Sequence, residues 1–466
     1  MDQRPLINVP SIEATDEAPA QRFSPGFALV KSLLAREISR ISKYSDRVIH
    51  CYKLSHDNGK VLQKLTAPRK EILAPGTALV DFSKDSTANP VILIDGTLNH
   101  HLDIQTLLTN LRTRLNRRSR VVAVLYNPYL RFLYRWATSL KMRKGEVPST
   151  FLTETDLADL VKLSGYSVVR QRPCVYVPFA CFGLGLFLNS VFSMIPIVRK
   201  LALTYVVTLR PVIPETDPPS LSILIPARNE KGNIENALKR MPMFTCNGKT
   251  ARIEVLFVEG HSKDSTWEEI QRVQSAREYR GGKFEIKSFQ QTGKGKADAV
   301  RLGFSHATGN LLTILDADLT MPPEDLVKFY NAYCAGHADF INGSRLVYPM
   351  EGQAMRFLNW LGNIFFAKAL SWVLDTKLGD SLCGTKLMHR LDYERFKQWR
   401  KDFGDFDPFG DFELIFPACI LGLGVIDIPI YYRARTYGET NIQRFYHGLM
   451  LLRMTLIGLF RVKASF

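Results

Sequence analysis

Cysteine is scarce in this chain and follows no pattern. The 466 residues include seven cysteines, an odd number, and no two of them have the Cys-x-x-Cys spacing of a zinc or redox site. A small disulfide-stapled domain needs an even set of cysteines at short spacings. The sequence therefore excludes a disulfide framework, and we expect the thiols to be reduced.

Signatures of nucleic-acid binding are also lacking. The chain has no Cys/His zinc spacing, no aromatic signature of an RNA-recognition motif and no helix-turn-helix pattern. It is nevertheless basic, with 61 Lys and Arg against 45 Asp and Glu and a net charge of +16. A basic excess without those signatures predicts contact with an anionic membrane surface and no nucleic acid.

The first residues contain no apolar run of the kind found in a secretory signal. They are polar and include Asp2, Glu13, Asp16 and Glu17. We therefore expect no signal peptide and a disordered segment over residues 1–25.

Charge is absent from residues 173–198. This stretch is longer than the about 20 residues that a membrane-spanning helix needs. However, Pro178, Gly183 and Pro196 interrupt it, and basic residues flank both ends, so charge gives no orientation. We predict a buried or interfacial pair of helices here, with a single span as the alternative.

The most informative positive feature is an apolar run that ends in two carboxylates. Residues 311–315 read Leu-Leu-Thr-Ile-Leu, and Asp316, Ala317 and Asp318 follow directly. The run predicts a buried strand of a parallel sheet, so the carboxylates would lie at the carboxyl edge, where such sheets bind ligands. Two carboxylates there suit a hard divalent cation that takes its other ligands from water and phosphate. Capping of the next helix is the structural alternative.

Similar runs precede this one, and each leads into a polar loop and then a helix. Residues 221–225 and 253–258 are the apolar runs, and a Gly-rich loop opens the helix before residue 311. The alternation predicts a doubly wound α/β sheet with a nucleotide crevice at its carboxyl edge. The candidate residues that follow these strands or lie in the Gly-rich loop are Pro226, Ala227, Asn229, Glu230, Glu259, Lys294 and Lys296.

These motifs together resemble family 2 glycosyltransferases of the GT-A fold. That family has a Pro-x-x-Asn-Glu loop, an acidic Ser-x-Asp-x-Thr loop and an Asp-Ala-Asp strand end, in this order. The later segments 342–345, 380–386 and 429–440 look like the dolichyl-phosphate mannose synthase branch. The resemblance covers about residues 219–446. It departs from the family at Glu259-Gly260, where the family usually has Asp-Asp, and at Thr320, where Gln or His is common.

The resemblance implies the roles of the donor-side residues. Asp316 and Asp318 would bind Mg²⁺ or Mn²⁺, which neutralises the leaving diphosphate. The residues implied to bind the nucleotide-sugar are Pro226, Ala227, Asn229, Glu230, Glu259, Lys294, Lys296, Asp316, Ala317 and Asp318. For Asn229 and Glu230 a helix start is the structural alternative.

The resemblance also implies an acceptor side made of arginines. Arg345, Arg356 and Arg435 would hold the phosphate of a polyprenyl lipid, for which a guanidinium is well suited. The catalytic residues implied are Asp318, Asp380, Arg345 and Arg435. An ionised phosphate needs no strong general base, whereas a hydroxyl acceptor would need one. Asp380, Asp411 and Glu413 are the candidate bases in that case, although the last two are more often structural.

Two apolar segments predict membrane contact. Residues 353–374 carry only two charges beside several aromatic side chains, and residues 446–466 contain no acid but are rich in Leu and Met. Both are typical of interfacial helices, with core helices as the alternative. Because related synthases use cytosolic nucleotide-sugars, we expect a peripheral or monotopic protein on the cytoplasmic face of the cell membrane.

The first half also has α/β character. Residues 90–95, 120–126 and 165–169 predict strands, and residues 102–115 predict a helix between the first two. The order resembles the second half of a class I methyltransferase. However, no Gly-x-Gly loop occurs between residues 31 and 80, where S-adenosylmethionine would require one. We predict an incomplete, Rossmann-like domain that has lost catalysis.

The fold class expected is therefore α/β, with an incomplete Rossmann-like domain before a GT-A domain and with amphipathic membrane-facing helices. The expected organisation is a disordered N-terminus, a methyltransferase-like domain, an apolar segment with a Pro-rich linker, a glycosyltransferase domain and a C-terminal amphipathic helix. Their bounds are 1–25, 26–172, 173–218, 219–446 and 447–466.

The predicted function is metal-dependent, inverting transfer of a sugar from a nucleotide-sugar, GDP-mannose or a UDP-hexose, to a polyprenyl or dolichyl phosphate. One alternative is a family 2 transferase that acts on a glycolipid or glycan hydroxyl. Another is a membrane-surface scaffold with a degenerate sugar site, and a third is a bifunctional methyltransferase–glycosyltransferase. A processive synthase is disfavoured because no Gln-x-x-Arg-Trp motif is present. The oligomeric state is not predicted.

Overall fold

The computed structural model describes most of the chain as two α/β units that share one interface. It describes residues 25–51, 60–74, 77–142, 147–277, 279, 284–351, 357–404, 407, 409–435, 437 and 444–464. The expected disordered segment 1–25 lies almost wholly outside the described residues.

The first unit is built on a six-stranded sheet. Its order is β2-β1-β3-β4-β6-β5, and β6 runs antiparallel to both of its neighbours. Its strands are Arg47–His50 (β1), Lys70–Ile72 (β2), Pro90–Asp95 (β3), Arg120–Tyr126 (β4), Tyr166–Val175 (β5) and Thr204–Pro211 (β6). Its helices are Pro25–Ser42 (α1), Lys60–Lys64 (α2), Ile104–Arg112 (α3), Arg131–Ser139 (α4), Glu154–Leu163 (α5) and Leu184–Met194 (α6).

The predicted boundary of the first domain at residue 172 is wrong. Residues 173–218 were expected to be an apolar helical segment followed by a linker, but β5 continues to Val175 and β6 lies between β4 and β5. The run Tyr-Val-Val-Thr-Leu at 205–209 is β-branched and apolar, so it pairs readily on both sides. Residues 212–220 alone connect the two sheets. The methyltransferase-like assignment stays a prediction.

The second unit is built on a seven-stranded mixed sheet. Its order is β11-β10-β7-β12-β14-β13-β15, with β14 antiparallel to both neighbours and the other pairs parallel. A two-stranded hairpin, Thr245–Cys246 (β8) and Lys249–Thr250 (β9), lies beside it. The strands of the large sheet are Leu221–Ala227 (β7), Ile253–Glu259 (β10), Glu285–Gln290 (β11), Leu311–Ile314 (β12), Phe340–Ser344 (β13), Lys386–His389 (β14) and Val425–Pro429 (β15).

Helices cover both faces of this sheet, so its central strands are buried apolar runs. The α/β fold class is confirmed, with the addition of one antiparallel strand inside the expected doubly wound sheet. The helices are Lys231–Lys239 (α7), Thr266–Ser275 (α8), Lys296–His306 (α9), Leu326–Cys334 (α10), Phe357–Leu374 (α11), Arg390–Phe403 (α12), Phe412–Ile420 (α13) and Arg444–Gly458 (α14), and a π-helical turn at residues 459–464 follows α14.

The uncharged stretch 173–198 forms no spanning helix. It contains the end of β5 and α6, whose 11 residues have a length of about 16 Å, about half of a bilayer core. Among the described helices, only α11 has the length and apolar composition to cross a membrane, and a third of it is buried in the protein.

The two units are joined by a buried ion cluster centred on Asp339, the residue before β13. Arg120 donates to this carboxylate over 2.7 Å and Arg210 over 3.2 Å, while Arg117 lies 3.5 Å away. The backbone N–H of Gly424 donates to it over 3.0 Å. Although burial alone would raise the pKa of Asp339, the three arginines of the first unit hold it well below its usual value.

We predict that Asp339→Asn destabilises the whole chain by roughly 3–5 kcal/mol, because three buried guanidinium groups lose their shared counter-charge. Denaturant unfolding measures this change. The control is Asp217→Asn, which breaks the exposed ion pair with Lys249 and should cost about 1 kcal/mol or less. Equal stability of Asp339→Asn and the native chain would contradict the role given to this cluster.

Candidate functional site

The candidate site lies where three parallel strands end together. In the register of the sheet, Ala227 of β7 is opposite Glu259 of β10, and Ile314 of β12 is opposite Leu224 of β7. The loops after these strands therefore meet at one edge. This is the ligand-binding edge expected for an α/β sheet.

Asn229 and Glu259 hold two of these loops together. The backbone N–H of Asn229 donates to Ser262 Oγ over 3.0 Å, and its side-chain oxygen accepts from the Lys263 N–H over 2.7 Å. Glu259 accepts from the Ser262 N–H over 2.5 Å and from Gln290 over 3.2 Å. Asn229 has a φ of +56°, in the left-handed region that Asn tolerates better than most residues. Both predicted donor-side residues thus shape the pocket wall.

Asp264 is a site residue that the sequence reasoning did not select. Its carboxylate accepts from Thr266 and from the hydroxyl of Tyr437, the latter over 3.2 Å. Tyr437 belongs to the segment after β15, so this contact brings the acceptor-side segment over the loop that follows β10. The signal was present, because Asp264 is the acidic residue of the Ser-x-Asp-x-Thr loop.

Each of the two carboxylates predicted to bind a metal is paired with a basic side chain. Lys296 Nζ, at the start of α9, lies 2.5 Å from Asp316, and Arg435 donates to Asp318 over 2.6 Å. The hydroxyl of Thr320 donates to the other oxygen of Asp318 over 2.8 Å. Burial raises the pKa of Asp316, but the ammonium of Lys296 outweighs this and holds the pKa below its usual value. Thr320 therefore orients Asp318 at the position where the family often has Gln or His.

The donor set fits a hard divalent cation that is completed by other ligands. No group of three or more His, Cys, Asp or Glu side chains that could hold a metal occurs among the described residues. Two carboxylates leave most positions of an octahedral cation for water and phosphate oxygens, which is how Mg²⁺ is usually held. Gly384 leaves room for the side chains of Asp316 and Lys296, because a Cβ there would lie 2.2 Å from both Asp316 Oδ2 and Lys296 Nζ.

Arg345 and Asp380 form a buried, two-pronged ion pair. The guanidinium donates to the two carboxylate oxygens over 2.7 and 2.9 Å, and the Arg345 N–H also donates to Asp380. Burial would raise the pKa of Asp380, but Arg345 lowers it to about 2. A fully buried carboxylate with so little affinity for protons is a poor general base. Asp380 instead positions Arg345, whose guanidinium also lies 5.4 Å from the ring centre of Tyr432.

Arg435 connects the acceptor side to the donor side. Besides Asp318 it contacts Glu230, from Nη1 to Oε1 over 3.3 Å. Asn233 donates to the other oxygen of Glu230 over 2.7 Å. Burial nevertheless raises the pKa of Glu230 to about 7, because these two partners only partly offset the loss of solvent.

The remaining predicted residues lie at or near this edge with fewer contacts. Lys294 is exposed in the loop before α9, whereas Ala227 and Ala317 are buried behind the loops. Asp411 pairs with the buried Lys386 over 2.7 Å. Glu413 pairs with Arg301 and Arg400, so the last two candidate bases are structural. Arg356 lies outside the described residues, and Pro226, the residue before the last one of β7, is half-buried.

We predict that the stability difference between Glu230→Gln and the native chain changes with pH. The folded state holds the proton of Glu230 up to about pH 7, whereas a free Glu releases it near 4.5, so this group destabilises the native chain as pH rises between these values. Gln remains neutral. The free energy of unfolding of Glu230→Gln should therefore rise by roughly 1–3 kcal/mol relative to that of the native chain between pH 5 and pH 8, measured by denaturant unfolding.

The matched control is Glu235→Gln on the same helix. Lys239 and Arg272 lower the pKa of Glu235, so it stays ionised over this range. Its stability difference from the native chain should not change between pH 5 and 8. A constant difference for Glu230→Gln as well would show that the buried carboxyl does not titrate near neutrality.

Comparison with known proteins finds a family similarity within the second unit. Residues 222–396 match the family described as Glycosyl transferase family 2. The dolichol-phosphate mannosyltransferase of Pyrococcus furiosus is 28% identical over 230 residues, which are 48% of this chain and 59% of that protein. The dolichyl-phosphate hexose transferase of Haloferax volcanii is 27% identical over 228 residues, which are 49% of this chain and 89% of that protein.

A third relative is shorter in its match. The undecaprenyl-phosphate 4-deoxy-4-formamido-L-arabinose transferase of Sodalis glossinidius is 32% identical over 108 residues, 23% of this chain and 32% of that protein. The match with each of the first two relatives covers about half of this chain. It covers 59% of the first relative and 32% of the third, so this chain spans only part of the length of those two proteins. Residues 222–396 thus match the model of family 2 glycosyltransferases, and about half of the chain is similar to dolichyl-phosphate sugar transferases of two other organisms.

Proposed function

We propose that the chain transfers a sugar from a nucleotide-sugar to a polyprenyl or dolichyl phosphate at the cytoplasmic face of the cell membrane, with Mg²⁺ or Mn²⁺ as cofactor. The observation that supports this most is the 2.6 Å contact between Arg435 and Asp318. It brings an arginine of the acceptor side against a carboxylate of the donor side. A phosphate held by Arg435 would therefore lie beside the cation that carries the leaving diphosphate.

In the proposed reaction, an oxygen of the acceptor phosphate attacks the anomeric carbon of the sugar. The bond from that carbon to the nucleoside diphosphate breaks, and the diphosphate leaves with the electron pair. Arg345 and Arg435 bind and orient the acceptor phosphate, and Asp380 fixes the direction of Arg345. A cation held by Asp316 and Asp318 would offset the negative charge that develops on the diphosphate.

The ion pairs formed by the three predicted bases support a phosphate acceptor. Asp380, Asp411 and Glu413 are each buried in an ion pair, so none of the three is placed to take a proton from a hydroxyl. An ionised phosphate needs no such group. The donor sugar, the nucleotide and the cytoplasmic location follow from the resemblance to the dolichyl-phosphate synthases.

Glu230 favours one second candidate, transfer to a glycolipid or glycan hydroxyl. Its pKa of about 7 matches that of a general base near neutral pH. However, Glu230 lies on the nucleoside side and is bonded to Asn233. A hydroxyl acceptor would lead to a glycosidic product that resists mild acid, unlike a sugar phosphate, so the product distinguishes the two candidates.

We predict that full-length protein transfers label from GDP-mannose, UDP-glucose or UDP-N-acetylglucosamine to dolichyl or undecaprenyl phosphate, giving a lipid product labile to mild acid. EDTA and Asp318→Asn should each lower the rate at least about a hundredfold, since the charge that stabilises the leaving group is lost. Asp217→Asn, an exposed acid far from the site, is the control. Transfer that survives EDTA and Asp318→Asn would contradict the proposed roles.

We also predict that Gly384→Ala lowers transfer about a hundredfold while the fold persists, because its Cβ would push apart Asp316 and Lys296. The control is Gly362→Ala on α11, where a Cβ would meet nothing within 4 Å. Transfer rates and circular dichroism together separate a blocked site from an unfolded one. A Gly384→Ala protein with a tenth or more of the native rate would show that this space is not used.

A further inference from the structure

Four segments of the chain expose apolar stripes at helical spacing. In the first unit, Tyr129, Phe132, Trp136 and Leu140 lie along α4 and its two ends, and all are exposed. Only Tyr134 of α4 is buried. A helix with an apolar stripe toward solvent and its buried side against the protein is typical of a surface that docks on something.

The same pattern recurs on three other segments. Leu184 and Phe187 are exposed on α6, and Ile197 and Leu201 follow it. On α11 the exposed stripe includes Leu361 and Phe365 at a spacing of four residues, and α14 exposes Leu449, Leu452 and Leu456. On α11 the opposite side packs into the core of the second unit.

The four segments are joined to one another. Asn127, just before α4, donates to the carbonyls of Lys200 and Ala202 over 2.9 and 2.7 Å. Arg199 pairs with Asp375 at the end of α11. Lys463, in the π-helical turn after α14, also pairs with Asp375, over 2.5 Å. These contacts tie α4, the segment after α6, α11 and the end of α14 into one surface, which we name the apolar platform.

Charge indicates what covers the platform. Its four segments, residues 128–142, 173–201, 357–374 and 446–464, hold 81 residues with nine basic side chains and no acidic one. Two of the nine, Arg199 and Lys463, are paired with Asp375 just outside these segments. In the whole chain, 45 of 466 residues are acidic, so about eight acids would be expected in a stretch of this size. A second copy of the chain would place like charges against each other. A bilayer with anionic headgroups complements both the apolar stripes and the cations.

We propose that the apolar platform lies in the surface of an anionic phospholipid bilayer, so that the first unit, through α4 and residues 179–201, docks on the membrane together with α11 and α14. The first unit is then a membrane-docking domain for the transferase. This inference extends the membrane location in the proposed function to the first half of the chain.

The test is sedimentation of the full-length protein with vesicles of phosphatidylcholine and phosphatidylglycerol at 3:1, without nucleotide-sugar. Phe132→Asp/Trp136→Asp should lower the vesicle partition coefficient at least tenfold, and Phe365→Asp on α11 should lower it as well. The two α4 side chains are 64% and 62% exposed, so the double variant should fold. Vesicles of phosphatidylcholine alone should bind the native protein less.

The matched control is Leu163→Asp/Met243→Asp, which adds the same charge at exposed apolar positions, 67% and 44% exposed, outside the platform. It should bind vesicles as the native protein does. Transfer to a short, water-soluble prenyl phosphate should stay within about twofold of native in both double variants, since neither changes the site.

Two outcomes would overturn the inference. One is unchanged vesicle binding by Phe132→Asp/Trp136→Asp, which would leave α11 and α14 as the docking surface. The other is a native protein that is a dimer in analytical ultracentrifugation and a Phe132→Asp/Trp136→Asp variant that is a monomer with unchanged vesicle binding. That result would make the platform an interface between copies. Failure of the proposed sugar transfer would appear separately, as a missing product in the transfer assay with vesicle binding intact.

Discussion

The carboxylate of Asp339 is the interaction on which the two halves of the molecule depend. Asp339 directly precedes β13 and forms ion pairs with Arg117, Arg120 and Arg210, all of which belong to the first unit. Three guanidinium groups can share one buried carboxylate only if surrounding carbonyl groups accept hydrogen bonds from their other N–H groups. Some of these donors are taken in this way: Arg210 donates to the carbonyls of Gly336 and His337.

This cluster fixes a strand that ends in the site. The strand β13 runs from Phe340 to Ser344, and Arg345 follows it directly. Its neighbour β15 leads into the segment that carries Arg435. The first unit therefore supports the acceptor side of the site through the sheet, although it contributes no side chain to the contacts described there. A domain can in this way set the geometry of its neighbour without contributing a side chain to the site.

The local pattern of apolar strands and the polar residues after them predicted most residues of the donor side. Asp316 and Asp318 were found because a buried strand and the polar residues after it are adjacent in sequence, and strand order then brings them to one edge. The pairing of Arg435 with Asp318 joins residues 117 positions apart, and neither periodicity nor spacing encodes such a contact. The strand β6 was missed for a similar reason. Its neighbours β4 and β5 precede it in the chain, and the prolines after it made the whole stretch resemble a linker.

The pairing of charges in the site has a consequence for how it responds to its surroundings. Lys296 neutralises Asp316, Arg435 neutralises Asp318, and Arg345 neutralises Asp380, so each of these carboxylates has its counter-charge within the protein. A single ion that enters must displace a partner already in place, and it gains only the difference between two contacts. A cation held by Asp318 would weaken the contact between Asp318 and Arg435, so the cation and the acceptor phosphate would each favour the binding of the other. Arg435 would thus couple the binding of the two ligands.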